Sequence, residues 1–281
     1  MPRAGPSTPP LSRPTRDAGR PDGPRVTPVP GPALLELDHV SKRFGLVPVA
    51  NELCLSVGDG ELLGVVGPNG AGKTSLFSII SGDLAPDGGR VIFAGRVLNG
   101  LDAASRCRLG IGRTYQVPRP FEQMTVFENV LLASQAGAGL RRREAGEQTY
   151  GVLQQTGLAR DSNRPAGQLG LLSRKRLELA RALATRPRLL LLDEVAAGLT
   201  DPEVAELISV LLLVRASAQG TGIAVVWVEH VVRALAATVD RLICLDGGAI
   251  IADGRPEDVL SDPQVKQVYL GTEERDGTGG P

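Results

Sequence analysis

Eight residues, Gly67 to Thr74, read GPNGAGKT and fit the pattern G-x-x-x-x-G-K-[ST]. The chemistry open to such a run is the capture of phosphate. Gly67, Gly70 and Gly72 let the backbone turn tightly and aim amide N–H groups at phosphate oxygens, with Pro68, Asn69 and Ala71 completing the loop. Lys73 is placed to reach the β- and γ-phosphates of a nucleotide, the Thr74 hydroxyl to ligate Mg2+, and Ser75 to line the same site. A second run, LLLLDE, ends in adjacent carboxylates, with Asp193 lying 120 residues after Lys73. Alone, that is also how a buried strand closed by an Asp cap reads. Beside a phosphate loop, it puts Asp193 next to Mg2+ and Glu194 next to an attacking water.

These side chains need strands and helices to aim them. ELLGVVG, directly before the loop, is continuously apolar, as a central parallel strand should be, and AGKTSLFSIISG supplies a helix. The N-terminus of that helix adds its dipole to the phosphate site. Further on, RLLLLD, PEVAELISVLLLVRA, GIAVVWV and HVVRALAATV alternate strand with helix, which predicts an α/β parallel core. LLELDHV and NELCLSV alternate as half-buried antiparallel strands, and DRLICLDGGAIIADG reads as a hairpin around Gly247 and Gly248. Residues 101–165 are polar, with helical stretches near 126–140 and 144–157, and about 101–175 are expected to form a helical subdomain inserted in the core. Residues 1–32 hold ten of the 21 prolines and five Arg against two Asp, a tail too poor in apolar surface to fold. The folded domain is expected over 33–272, with a flexible tail over 273–281.

Composition removes several functions. Lys plus Arg equals Asp plus Glu at 31 each, and aromatics are 3%, so neither a basic field nor a base-stacking platform points to nucleic acid. Three scattered cysteines with no C-x-x-C suit a reducing cytosol rather than a disulfide framework or zinc site. The longest apolar runs, LISVLLLV and IAVVWV, fall well short of the ~18 residues a membrane span needs. No signal-peptide pattern opens the chain.

With both phosphate-site motifs in place, about residues 34–271 resemble the ATP-binding-cassette (ABC) ATPases. KRFG at 42–45 resembles the adenine-stacking loop, with Phe44 as its aromatic, although a core Phe is the plainer alternative. GIGRTYQ at 110–116 is similar to the approach to the glutamine loop, and VVWVEH ends in His230 where the family has its switch histidine. The resemblance makes Gln116 a sensor of the γ-phosphate through Mg2+ or water, and Glu194 the base. His39 has no such context and reads as a surface residue. RTYQVPRPFEQMTVFENVLLA, DEVAAGLT and ADGRPEDVLSDPQVKQVYLG are similar to the subunits that drive branched-chain amino acid importers; urea, amide and lipopolysaccharide transport ATPases share parts of this pattern. What the resemblance implies is a P-loop NTPase fold, ATP and Mg2+ as ligands, and no nucleic acid. The implied partners are membrane permease subunits, a second ABC ATPase subunit and a solute-binding protein. The implied location is the inner face of the cell membrane. A soluble ATPase acting on ribosomes or DNA is the competing class, but such relatives usually carry two cassettes or a long insertion, and this chain carries one cassette.

One segment departs from the family. GQLGLLSRKRLELARAL, Gly167 to Leu183, contains the usual Leu-Ser-Gly-Gly-Gln signature position, here occupied by Leu169, Gly170, Leu171, Leu172 and Ser173. The hydroxyl that holds the opposite subunit's γ-phosphate is therefore missing. Arg174, Lys175 and Arg176 sit where a helix should begin, an unfavourable place for cations unless an anion is near. Arg174 or Lys175 could replace the serine electrostatically; a solvated basic face is the plainer reading. Thr200 also departs, standing where the family usually has Asp or Asn.

Overall fold

The computed structural model describes residues 32–217 and 222–276. Of the expected N-terminal tail, residues 1–31 lie outside this range, as do 277–281 of the expected C-terminal one. Two sheets carry the fold. The first is antiparallel, in the order β2 (Val47–Val57), β1 (Leu35–Phe44), β4 (Gly88–Phe93), β5 (Arg96–Val97). The second is built on β3 (Leu62–Val66), β6 (Ile111–Arg113), β7 (Leu189–Asp193), β8 (Ala224–Val228), β9 (Arg241–Asp246) and β10 (Ala249–Gly254), in the order β10-β9-β3-β8-β7-β6. Its pairings are parallel except for the β9–β10 hairpin at one edge.

Strands β3, β7 and β8 are buried at every residue because both faces of the sheet are covered. Leu63, Val65, Leu189, Leu191, Val226 and Val228 face α1 (Lys73–Ser81) and the antiparallel sheet. Their neighbours Leu62, Val66, Leu190, Leu192, Val225 and Trp227 face the opposite, helical layer. Sequence alternation is invisible in such strands, since the period-2 split is between two apolar environments.

The helices in chain order after α1 are α2 (Ala103–Arg108), α3 (Val126–Ala136), α4 (Arg142–Gln155), α5 (Leu171–Ala184), α6 (Asp201–Ser217), α7 (Val232–Ala236), α8 (Pro256–Ser261) and α9 (Pro263–Asp276). Helix α2 starts on Asp102, whose carboxylate accepts from the Ser105 amide, and α3 on a Thr125–Glu128 capping box. Neither α1 nor α5 has a capping side chain. The expected helical stretch 101–175 differs in one respect: it contains β6, which pairs in parallel with β7. Three residues, one of them Gly112, are too short to show a hydrophobic period. Helix α9 likewise runs to Asp276, inside the expected flexible tail. No described helix is long and apolar enough to cross a membrane.

Candidate nucleotide site

The loop between β3 and α1 is shaped by two glycines that nothing else can replace. Gly67 has φ 151°, and a Cβ there would lie 2.2 Å from the Leu245 carbonyl oxygen. Gly72 has φ 105°, and its Cβ would lie 2.4 Å from the Val49 carbonyl. Gly72 is also the N-cap of α1, so the first amides of the helix have no side chain competing for them. Asn69 and Gly70 crest the loop in solvent, Ala71 is buried, and Thr74 and Ser75 stand exposed and half-buried on the first turn of α1. The Lys73 ammonium, itself buried, donates to the carbonyls of Gly67 (2.6 Å) and Pro68 (3.0 Å). Burial pushes its pKa down, against the pull of Glu194, Cys244 and Asp193. From α9, the Tyr269 hydroxyl oxygen accepts from the Gly67 amide, and burial pushes that phenol up to about 12.

The carboxylates lie at the end of β7, which β8 separates from β3 in the sheet. Asp193 is buried, which raises its pKa, while Arg113 Nη2 donates to its Oδ2 at 3.1 Å and holds it partly down. Its amide donates to Thr114 Oγ1. Glu194 is held at both oxygens: Gln116 Nε2 donates to Oε2 at 2.5 Å, and His230 Nε2 lies 2.7 Å from Oε1. Glu194, Gln116 and His230, which the sequence places on three separate segments, are thus in one cluster. Arg113 and Thr114 were not singled out in the sequence, although they precede Gln116 in a quoted run; a cation at the end of a strand beside LLLLDE was the available signal. Arg113 also reaches Ser78, Ser81 and Asp83, so one guanidinium ties α1 to Asp193.

Phe44 is not a core residue. It is 55% exposed at the end of β1, paired with Val47 across the hairpin, with the Lys42 ammonium 5.8 Å from its ring. It connects to the loop through β2, whose Val49 carbonyl lies against Gly72. His39 is on the surface, beside Glu52 at 3.2 Å.

The solvated-face reading of Arg174 to Arg176 is overturned, because each cation is taken up within the chain. Arg174 folds back onto the carbonyls of Leu169 (2.9 Å) and Gly167 (2.8 Å). Lys175 is buried and donates to the Glu194 carbonyl, and Arg176 pairs with Glu206 at 2.6 Å. Long side chains carry their charge away from the helix axis, which removes the expected clash with the dipole. Thr200 also has a local role: Glu203 accepts from its amide and hydroxyl, closing the start of α6.

The donors fit Mg2+ rather than a softer ion. Asp193, the Thr74 hydroxyl and the amide oxygen of Gln116 are hard oxygen ligands, and Gln116 turns its nitrogen, not that oxygen, to Glu194. Among the described residues no cluster of three or more His, Cys, Asp or Glu could hold a metal. Mg2+ takes one or two carboxylates with waters and phosphate oxygens, and Asp193 would be its carboxylate here.

A phosphate loop between a parallel strand and a helix, two carboxylates at the end of another strand of the same sheet, and a half-helical, half-antiparallel surround define an ATP-binding cassette on a P-loop core. The family described as "ABC transporter" matches residues 50–197, and that described as "Branched-chain amino acid ATP-binding cassette transporter" matches residues 249–275. The high-affinity branched-chain amino acid transport ATP-binding protein BraF of Pseudomonas aeruginosa is 36% identical over 252 residues, covering 85% of this chain and 98% of BraF. The lipopolysaccharide export system ATP-binding protein LptB of Acidithiobacillus ferridurans is 35% identical over 240 residues, covering 85% and 97%. The ADP conformation of MJ1267, an ATP-binding cassette of an ABC transporter, superposes with TM-score 0.76 at 30% identity, covering 86% of this chain and all of that one. The chain belongs to the ABC transporter family, and it is an ATPase of that family.

Proposed function

We propose that this chain is the ATP-hydrolysing subunit of a membrane importer for branched-chain amino acids. The observation that carries the substrate class is the match over residues 249–275, the C-terminal segment, to the branched-chain amino acid cassette family. Likeness to LptB supports lipopolysaccharide export as the second reading, at 35% identity and without that C-terminal match being part of its name.

In the proposed mechanism, Phe44 stacks on adenine, and the amides of Gly67 to Thr74 with the Lys73 ammonium bind the phosphate chain. Asp193, Thr74 and Gln116 would hold Mg2+, which when bound neutralises phosphate charge. Glu194 accepts a proton from the attacking water. His230 and Gln116 fix its two oxygens, so the carboxylate has one orientation before water arrives. Phosphoryl transfer needs little more than such positioning and charge stabilisation. Two cassettes would close on two ATPs, and the helices of 101–175 would pass that motion to permease subunits at the inner face of the membrane. A solute-binding protein would deliver the amino acid from the other side.

The second cassette is proposed to be a different chain. Each site of the dimer joins one subunit's phosphate loop to the other's signature segment, and Leu169 to Ser173 here lack the usual hydroxyl. A heterodimer with a regular partner has one strong and one weak site; a homodimer has two weak ones.

The test is reconstitution of the chain with branched-chain amino acid permease subunits and a second cassette. ATP-dependent uptake of leucine, isoleucine or valine into proteoliposomes is expected. Lipid extraction without amino acid uptake favours the second reading, and co-purification with ribosomes in place of a permease removes transport altogether.

A further inference from the structure

Glu194 carries its carboxylate on an unusual backbone. Its φ is 48°, in the left-handed region that side chains other than glycine rarely adopt. Such a conformation persists only where the surroundings over-determine it. Two of its restraints are ordinary main-chain bonds: the Glu194 amide donates to the Val228 carbonyl at 3.0 Å, and the Ala197 amide to the Glu194 carbonyl at 3.2 Å. The others come from two buried side chains that the mechanism above does not use. Lys175 Nζ donates to the Glu194 carbonyl at 3.1 Å. Glu229 Oε1 accepts from the Ala196 amide at 2.7 Å and from the Trp227 indole at 3.1 Å.

Both side chains are costly where they are. Lys175 is 5% exposed and Glu229 3%. Burial lowers the pKa of the ammonium and raises that of the carboxyl, and each is among the charges that offset the other's burial. A buried ion pair whose only purpose was to pack α5 could be replaced as a whole by apolar residues with little loss. Here its donor ends on the one carbonyl whose residue bears the base.

We infer that Lys175 is a positioning residue for hydrolysis: from helix α5 it holds the main chain of Glu194 so that the carboxylate meets Gln116 and His230. Glu229 holds the next turn of the same segment. The arrangement gives the helix that begins within Leu169 to Ser173 a direct mechanical connection to the base of its own chain. This rests on the assignment of Glu194 as the base.

The experiment compares Lys175→Met, Lys175→Gln and Lys175→Arg in the full chain within its assembled transporter, with Glu194→Gln alongside. Steady-state ATPase gives kcat and KM, and a fluorescent ATP analogue gives affinity. Methionine keeps the stem and loses the donor, so kcat is expected to fall ~10-fold or more, towards the ~10²-fold that an ångström of misplacement costs. KM and analogue affinity should stay within about twofold, because the phosphate loop is untouched. Arginine, which keeps a charged donor, should recover most of kcat. A wild-type kcat in the methionine and glutamine variants, a parallel rise in KM, or an arginine variant as poor as methionine overturns the inference. If methionine does not fold, glutamine decides; if neither folds, Lys175 supports the fold and the inference fails. Activity retained in Glu194→Gln removes the underlying assignment instead. Loss there with normal Lys175 variants leaves that assignment standing and removes only this one.

Discussion

Helices α1 and α5 begin in the same way and for different reasons. Both start at a glycine, both lack a capping side chain, and both carry a buried lysine in the opening turns. At α1, Gly72 is compelled by a positive φ and by the Val49 carbonyl 2.4 Å from where a Cβ would sit. At α5, Gly170 has φ −69° and ψ 170°, and nothing lies within 4 Å of a Cβ built there. The lysines diverge too. Lys73 folds onto the loop it serves, and Lys175 crosses to another element. One helix start is shaped for a ligand by its own backbone. The other has conformational room for the hydroxyl that it lacks, so the altered signature is a choice of residue and not a steric necessity.

The largest blow to this contrast comes from Glu194→Gln, which keeps shape and removes the proton acceptor. ATPase in the assembled transporter should fall by ~10²–10⁴ while nucleotide still binds. The equivalent change in a regular partner should cost less, because the partner's ATP closes against Leu169 to Ser173. Equal losses, or full activity in a homodimer, would show that the two helix starts are functionally alike.

Lys73→Ala comes next. Loss of a charged hydrogen bond to phosphate should weaken ATP binding ~10-fold or more, measured by calorimetry or analogue fluorescence. An affinity within twofold of the original would remove the role given to α1.

A smaller effect should appear with pH. Burial sets the Lys73 pKa below its usual 10.5, and the charged form is the one that grips phosphate. ATP affinity should therefore hold at neutral pH and decline as pH rises through that lowered pKa, before 10.5 is reached. An affinity flat across the alkaline range would contradict the buried ammonium.

The finest discrimination uses one substitution at both places. Gly170→Ser should fold normally, change stability by only a few tenths of a kcal/mol, and leave ATPase equal or higher. Gly72→Ser should lose nucleotide binding, because its Cβ has nowhere to go. Similar behaviour of the two variants in thermal melts and binding would mean that the difference between the helix starts has been misjudged.

The phosphate loop, the carboxylate strand and the strand-end residues Gln116, Glu194 and His230 were legible in the chain before it folded. Each depends on local rules: glycine at special φ, an apolar run that must be a buried strand, and polar residues at strand ends. The sequence did not reveal β6, whose three residues carry too little pattern. It also left Arg174, Lys175 and Arg176 as an apparent solvated face. Arg174 turns back onto its own approach, the carbonyls of Gly167 and Leu169, but the targets of Lys175 and Arg176, the Glu194 carbonyl and the Glu206 carboxylate, come near only when α5 meets the end of β7 and the start of α6. A long side chain's partner is set by what lies within reach of its tip. That distance is a property of tertiary packing, and so only the folded chain decided that Lys175 would end on the backbone of Glu194.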